Sequence, residues 1–283
     1  MYQLELNSGV NAIALQQEVL VCGLQNGTLL WFDREEKIFY KEHSHKNAIT
    51  GLCFLNNSNL VSSSADTTSK LWSIEGEEIR SFKEHSSFVL TCSACDEYFV
   101  SGGDDCILKL WDSKVKKSVK EYKHNSQLLA SEFKDHIYFG DINGSINVID
   151  IRNMDKILYT MNHKDSIIGL HLNNNTLCST SLDNTIKIWD ISSKNNQPTS
   201  QFDHTFDNIT YNSAIPFISD GGHYVACGSN NGNINVYELV SEELLYTLGG
   251  RSDFVSQVIL SNNELISAGL DGKIIVGDIN IMD

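Results

Sequence analysis

The chain has 283 residues, 41% of them hydrophobic, enough to bury a sizeable core. It carries 21 Lys and Arg against 36 Asp and Glu, a net charge of −15. That balance excludes a general phosphate-binding surface, because nonspecific nucleic-acid affinity is built from many cationic contacts. The one basic cluster, Lys114, Lys116, Lys117, Lys120 and Lys123, reads as a solvated strand face. Seven scattered cysteines, an odd count, and no apolar leader before the first strand point to a reducing compartment. No apolar run reaches membrane-spanning length, so no membrane partner is expected.

The chain opens on a lone strand, Tyr2–Leu6. From there a four-strand pattern recurs about every forty residues, with landmarks at Trp31, Trp72, Trp111, Ile149, Trp189, Tyr237 and Gly277. Blade 1 ends on Trp31, with Val21 and Gln25 upstream. Blade 2 runs from His45 through Ser62, Asp66 and Trp72. Blade 3 is the clearest: His85, an inner strand at 89–93, a second at 98–102, a turn at Asp104-Asp105, a third strand at 107–112 and an outer one at 119–122. Alternation of Ile107, Lys109 and Trp111 with Leu108 and Leu110 suits a strand packed between neighbouring sheets. Blade 4 keeps His124 but has Phe139, Asn143 and Ile149. Blade 5 repeats the full set His163, Ser179, Asp183 and Trp189. Then comes the longest step, with both prolines, Pro198 and Pro216; the segment 192–217 is expected to be a mobile insertion. Blade 6 has Cys227, Asn231 and Tyr237. Blade 7 has Arg251, Ser267, Asp271 and Gly277, and lacks a fourth strand. Pairing the opening strand beside 273–279 completes it and leaves no open sheet edge. The expected fold is therefore all-β, a seven-bladed propeller filling residues 1–283 as one domain.

Ser, His and Asp recur in three blades, which invites a hydrolase reading. An enzyme needs one such site rather than three in register, and no G-x-S-x-G elbow exposes a serine, so a structural role is expected and no catalytic residue is assigned. Cys92-Ser93-Ala94-Cys95 is a single CxxC without a second pair at metal-site spacing. No metal and no cofactor are expected.

At these His, Ser, Asp and Trp positions the chain resembles the WD40 family. The resemblance implies a hydrogen-bonded chain in each complete blade: Trp72, Ser62, His45, Asp66; Trp111, Ser101, His85, Asp105; and Trp189, Ser179, His163, Asp183. It also implies a partner-binding ring around the channel mouth. Carried over, that ring is Leu24, Phe88, Leu90, Asp104, Gln127, Leu129, Ile142, Ile168, Leu182, Phe254 and Leu270. Ala48, Thr50, Ala65, Ser166 and Ser256 fill the remaining places. An apolar ring with aromatic anchors suits a protein partner; the alternative is that several of these side chains turn inward.

Further stretches, His85-Ser86-Ser87-Phe88-Val89, Ile157-Leu158-Tyr159-Thr160-Met161 and Glu243-Leu244-Leu245-Tyr246-Thr247-Leu248, resemble the WD40 subunits of the U5 small nuclear ribonucleoprotein. That resemblance implies a non-catalytic nuclear splicing subunit, a monomeric propeller docked on the large U5 scaffold protein and touching RNA only through the particle. The alternative is another WD40 adaptor, such as a histone-tail reader or a ubiquitin-ligase substrate receptor.

Overall fold

The computed structural model describes residues 2–33, 38–41, 44–56, 58–193, 196–204, 214–219, 221–261 and 264–278. Residues 194–195 and 205–213 of the long insertion, and Ile279, therefore lie outside the described residues.

Seven four-stranded antiparallel sheets account for every strand, and no helix is present among the described residues. Blade 1 is Val10–Gln16, Val19–Leu24, Leu29–Asp33 and Ile38–Lys41. Blade 2 is Ile49–Phe54, Leu60–Ser64, Ser69–Trp72 and Glu78–Phe82; blade 3 is Val89–Cys95, Tyr98–Gly103, Ile107–Asp112 and Ser118–Lys123. Blade 4 is Leu128–Phe133, Ile137–Asp141, Ser145–Ile149 and Tyr159–Asn162; blade 5 is Ile167–Asn173, Thr176–Ser181, Thr185–Asp190 and Ser200–Asp203. Blade 6 is Phe217–Ile218, Tyr224–Gly228, Ile234–Glu238 and Leu244–Leu248. Blade 7 is Val255–Ser261, Glu264–Gly269 and Lys273–Asp278, with Tyr2–Glu5 as its fourth strand. The opening strand lies antiparallel on the last one, pairing Tyr2 with Val276 and Glu5 with Lys273. The ring is closed as the strand count requires, with Tyr2–Glu5 covering Lys273–Asp278 and becoming the outer strand itself.

The core is divided among the blade interfaces. Leu29, Trp31, Ile49, Leu60 and Trp72 form one apolar cluster across blades 1 and 2. Val61, Phe82, Phe99 and Trp111 form another across blades 2 and 3. Close approach depends on small residues in the second strands. A Cβ on Gly140 would lie 2.4 Å from the side chain of Ile167 in the next blade. The tight turn after each second strand carries a positive φ in all seven blades, at Gly27, Thr67, Cys106, Gly144, Asn184, Gly232 and Gly272. The Asn-Gly and Asp-Gly copies suit that backbone; Thr67 and Cys106 adopt it at a cost.

Cys92 does not pair with Cys95. Its Sγ lies 3.7 Å from Sγ of Cys53 on the adjacent inner strand, both thiols free.

Two substitutions test the packing. Gly140→Val should lower stability by about 1–3 kcal/mol through overpacking against Ile167. Cys106→Gly should raise it by about 0.5–1 kcal/mol by relieving the left-handed turn. Urea denaturation reads both; an unchanged midpoint for Gly140→Val would contradict the close approach.

Candidate functional site: the channel mouth and the side-chain networks that brace it

Each blade must tie a buried turn to its strands, and three blades do so in one way. In blade 3 the Trp111 indole N–H donates to Ser101 Oγ at 2.8 Å, and Ser101 Oγ lies 2.8 Å from His85 Nε2. His85 Nδ1 lies 2.7 Å from Asp105 Oδ2. Because the carboxylate only accepts, the proton belongs on Nδ1, Nε2 accepts from the serine hydroxyl, and the serine oxygen accepts from the indole. Trp72, Ser62, His45 and Asp66 make the same chain at 2.8, 2.7 and 2.9 Å. Trp189, Ser179, His163 and Asp183 make it at 2.8, 2.7 and 3.0 Å. All three serines are fully buried with their oxygens already bonded, so none is presented to a substrate.

The aspartates also hold the turns. Asp66 Oδ1 accepts from the Thr68 amide and hydroxyl, while Oδ2 accepts from His45 and the Lys46 amide. Burial by itself would raise this carboxyl, but the hydrogen bonds from His45, Thr68 and Lys46 outweigh it and hold it well below the usual range. Asp105 and Asp183 are lowered for the same reasons. Burial pushes His163 below its ordinary value, against the pull of Asp183.

Blades 4, 6 and 7 solve the problem with different residues. In blade 4 Phe139 fills the serine place, and His124 Nε2 turns to Asp141 Oδ2 at 2.9 Å, with the ring edge on Phe139 at 5.3 Å. Asp141 sits two residues before the expected acid, yet its Oδ1 accepts the Asn143 and Ser145 amides at 2.9 Å. In blade 6 the histidine is His204, 2.9 Å from the Tyr237 hydroxyl and 3.1 Å from the Gly228 carbonyl. Burial pushes it down to about 4, so it is neutral at pH 7. In blade 7 the Arg251 guanidinium takes the histidine place. It donates to Asp271 Oδ1 at 2.8 Å, to the Lys273 carbonyl at 2.9 Å, and to Ser267 Oγ at 3.0 Å. The pair is almost wholly buried. Arg251 Nε and Asp271 Oδ2 have no hydrogen-bond partner, so this pair is less completely satisfied than the three full chains. Spacing alone pointed to neither Asp141 nor His204: one lies off register and the other just before the irregular insertion.

The inner strands surround a central cavity of about 440 Å³. Its mouth is shaped by a recurring irregularity. In blades 1, 2, 3, 4, 5 and 7 the inner strand skips one residue in its pairing with the second strand. The skipped residues are Asn11, Thr50, Leu90, Leu129, Ile168 and Ser256. A bulge of this kind re-aims one side chain. Where that side chain is polar it latches the next blade. Ser256 Oγ donates to the Val10 carbonyl at 2.7 Å, Asn11 Nδ2 to Ile49 at 2.9 Å, and Thr50 Oγ1 to Val89 at 2.7 Å. Blades 3, 4 and 5 carry Leu90, Leu129 and Ile168 instead, which line the cavity. The mouth therefore has a hydrogen-bonded half and an apolar half.

The carried-over ring divides accordingly. Leu24, Ile168 and Phe254 are buried and present no outer surface; Leu24 joins the blade 7/1 core, while Ile168 and Phe254 join the core that Leu182 and Leu270 pack against. Leu90, Asp104, Gln127, Leu129 and Ile142 are half-buried. Phe88 alone is open, at 46% exposure. Burial, followed by the neighbouring Asp105 charge, raises the Asp104 carboxyl. Deeper in the cavity lie His171, pushed down to about 4 by burial, and Glu132, pushed up to about 8 by burial. No repeat or motif in the sequence marks Glu132. Of the basic cluster, Lys120 is tied to the Ile151 and Arg152 carbonyls at 2.9 and 2.8 Å, and Lys114 to Glu97.

Among the described residues no group of three or more His, Cys, Asp or Glu is arranged to hold a metal ion.

Asp105→Ala should cost about 1–3 kcal/mol by stranding His85. His204 has a lowered folded value, so the unfolded chain binds more protons between its ordinary value near 6.5 and about 4. Stability from this group is complete above about pH 6.5 and is lost as pH falls towards 4, on the order of 3 kcal/mol. His204→Gln should start less stable but lose less on acidification, read by melting temperature from pH 7 to 4.5; parallel curves would contradict the assignment.

The WD40 family (WD domain, G-beta repeat) matches residues 36–73, 76–112 and 155–190, including all three complete networks. The U5 small nuclear ribonucleoprotein 40 kDa protein of Pongo abelii is 32% identical over 217 residues, 72% of this chain and 60% of the relative. Pre-mRNA-splicing factor cwf17 of Schizosaccharomyces pombe is 30% identical over 154 residues, 51% of this chain and 45% of that protein. The E3 ubiquitin-protein ligase COP1 of Arabidopsis thaliana is 29% identical over 144 residues, 49% of this chain and 20% of the ligase. The chain thus spans less than two thirds of the length of these relatives. Sheet topology, repeat matches and side-chain networks agree: the chain is a seven-bladed propeller that carries WD40 repeats and is similar to the 40 kDa U5 subunits.

Proposed function

We propose that this propeller is a non-catalytic subunit of a U5-type spliceosomal particle, acting in the nucleus in pre-mRNA splicing. Its partner is a large scaffold protein of that particle, and it meets RNA only through the particle. The observation that carries the reading is the apolar half of the channel mouth. Phe88, Leu90 and Leu129, with Gln127 and Ile142 beside them, offer an aromatic anchor with aliphatic neighbours and a polar rim. Such a patch gains from burial against a protein and offers little to a phosphate backbone. The similarity to the U5 40 kDa protein and to cwf17 supplies the choice of particle.

A second reading has one observation behind it. Glu132 is a carboxyl in the cavity that burial pushes up to about 8, which keeps it mostly protonated at neutral pH. A cationic side chain entering from the mouth would ionise it, which suits an adaptor that reads a Lys- or Arg-bearing tail.

Native purification of the tagged protein from its own cells separates the two. Co-elution of spliceosomal proteins and U5 RNA, abolished by Phe88→Ala with Leu129→Asp while the melting temperature holds within a few degrees, is the expected outcome. Recovery with histones or a ligase core instead would overturn the splicing role.

A further inference from the structure

Among the described residues eleven large hydrophobic side chains are exposed, and five lie between positions 240 and 248: Val240, Leu244, Leu245, Tyr246 and Leu248. Leu244–Leu248 is the outer strand of blade 6, and it is exposed at every position. The outer strands of blades 2 and 3 are guarded by charge, and the uncharged outer strand of blade 4, Tyr159–Asn162, has only its last residue exposed. Ser118–Lys123 carries Lys120, Glu121 and Lys123, and Glu78–Phe82 carries Glu78 and Arg80. The blade 6 strand has no charge and no proline, the two usual protections of a free edge.

A missing side chain accounts for part of this exposure. In blades 2, 4 and 5 the outer-strand residue paired three positions before the Trp place is buried: Phe82 opposite Ser69, Met161 opposite Ile146 and Phe202 opposite Ile186. Each packs with the aromatic at the Trp place of the next blade. Phe82 lies 5.1 Å from Trp111, Met161 shares a cluster with Trp189, and Phe202 lies 4.8 Å from Tyr237. Leu248 holds the same place in blade 6, opposite Ile234. The next blade there is blade 7, whose Trp place is Gly277. Leu248 accordingly stays 37% exposed, beside a site that lacks an indole's volume.

We propose that the outer edge of blade 6 is a docking site for an extended segment of a partner protein that adds a fifth strand to this blade. An antiparallel segment would place a bulky aromatic residue near Leu248 and Gly277. Its other end would lie beside Glu242 and Glu243, which follow Glu238 and Ser241 in the turn leading into the strand. The partner therefore carries Lys or Arg at that end. Backbone pairing supplies affinity, and the aromatic notch with the acidic end supplies direction and specificity. A second copy of this chain is the poorer occupant, since two copies would bring net charges of −15 together. The surface is separate from the channel mouth and does not depend on the splicing assignment.

The test uses the whole chain and a short fluorescein-labelled peptide that begins with tryptophan, continues with alternating threonine and valine, and ends in two lysines. Saturable binding is expected by fluorescence anisotropy. Ending the same peptide in two glutamates should weaken it at least tenfold. Leu245→Asp, at an exposed position, should remove binding without moving the melting temperature. Gly277→Trp, which fills the notch, should weaken binding at least tenfold and raise the melting temperature. Phe88→Ala with Leu129→Asp should bind as tightly as the parent. The proposal is overturned by no binding to the parent chain, by equal binding to Leu245→Asp, or by indifference to the peptide's charge. A concentration-dependent dimer in sedimentation that Leu245→Asp abolishes would also overturn it, by assigning the edge to a second copy.

Discussion

Blade-to-blade packing is the constraint on which the rest of this structure depends. A four-stranded sheet buries its faces only when a neighbour stands on each side, so no blade is stable by itself and the ring has to close. Closure is made by Tyr2–Glu5 on Lys273–Asp278, which joins the two ends of the chain in one sheet. The interfaces are close enough that side-chain volume decides them. Gly140 stands where Ile167 leaves no room for a Cβ, and Phe82 is buried because Trp111 covers it. Where the covering aromatic is missing, at Gly277, the neighbouring strand is left open.

The polar side of the same constraint is the buried turn. Each turn carries donors and acceptors that leave water, and each must be satisfied. Three blades use the Trp-Ser-His-Asp chain, in which every member has a partner. Blade 4 turns the histidine round to an acid two residues away. Blade 6 spans the gap with a tyrosine hydroxyl, and blade 7 substitutes a guanidinium and a carboxylate. The buried ion pair is the costliest of these to form and the most damaging to break from one side. Blades 4, 6 and 7 thus show that different side chains can occupy these places in one propeller.

Function follows from where the blades differ. Six inner strands share one backbone bulge, so the mouth is geometrically regular, but its chemistry is not. Ser256, Asn11 and Thr50 spend their polar groups on the next blade, whereas Leu90, Leu129 and Ile168 have none to spend. One arc of the mouth is sealed by hydrogen bonds, and the opposite arc is apolar beside the open ring of Phe88.

The sequence by itself determined the architecture. The forty-residue period, the Asn-Gly and Asp-Gly turns, the three complete side-chain sets and the count of one strand too many at the start and one too few at the end were enough to place seven blades and their closure. Such features are local or strictly periodic, and they survive without knowledge of neighbours. The burial of Leu24, Ile168 and Phe254, the swap to Asp141, the use of His204, the contact between the free thiols of Cys92 and Cys53 and the open edge at Leu244–Leu248 were decided only by tertiary structure. They depend on partners distant in the sequence, 17 residues for His124 and Asp141, 33 for His204 and Tyr237 and 39 for Cys53 and Cys92, and no local pattern records them.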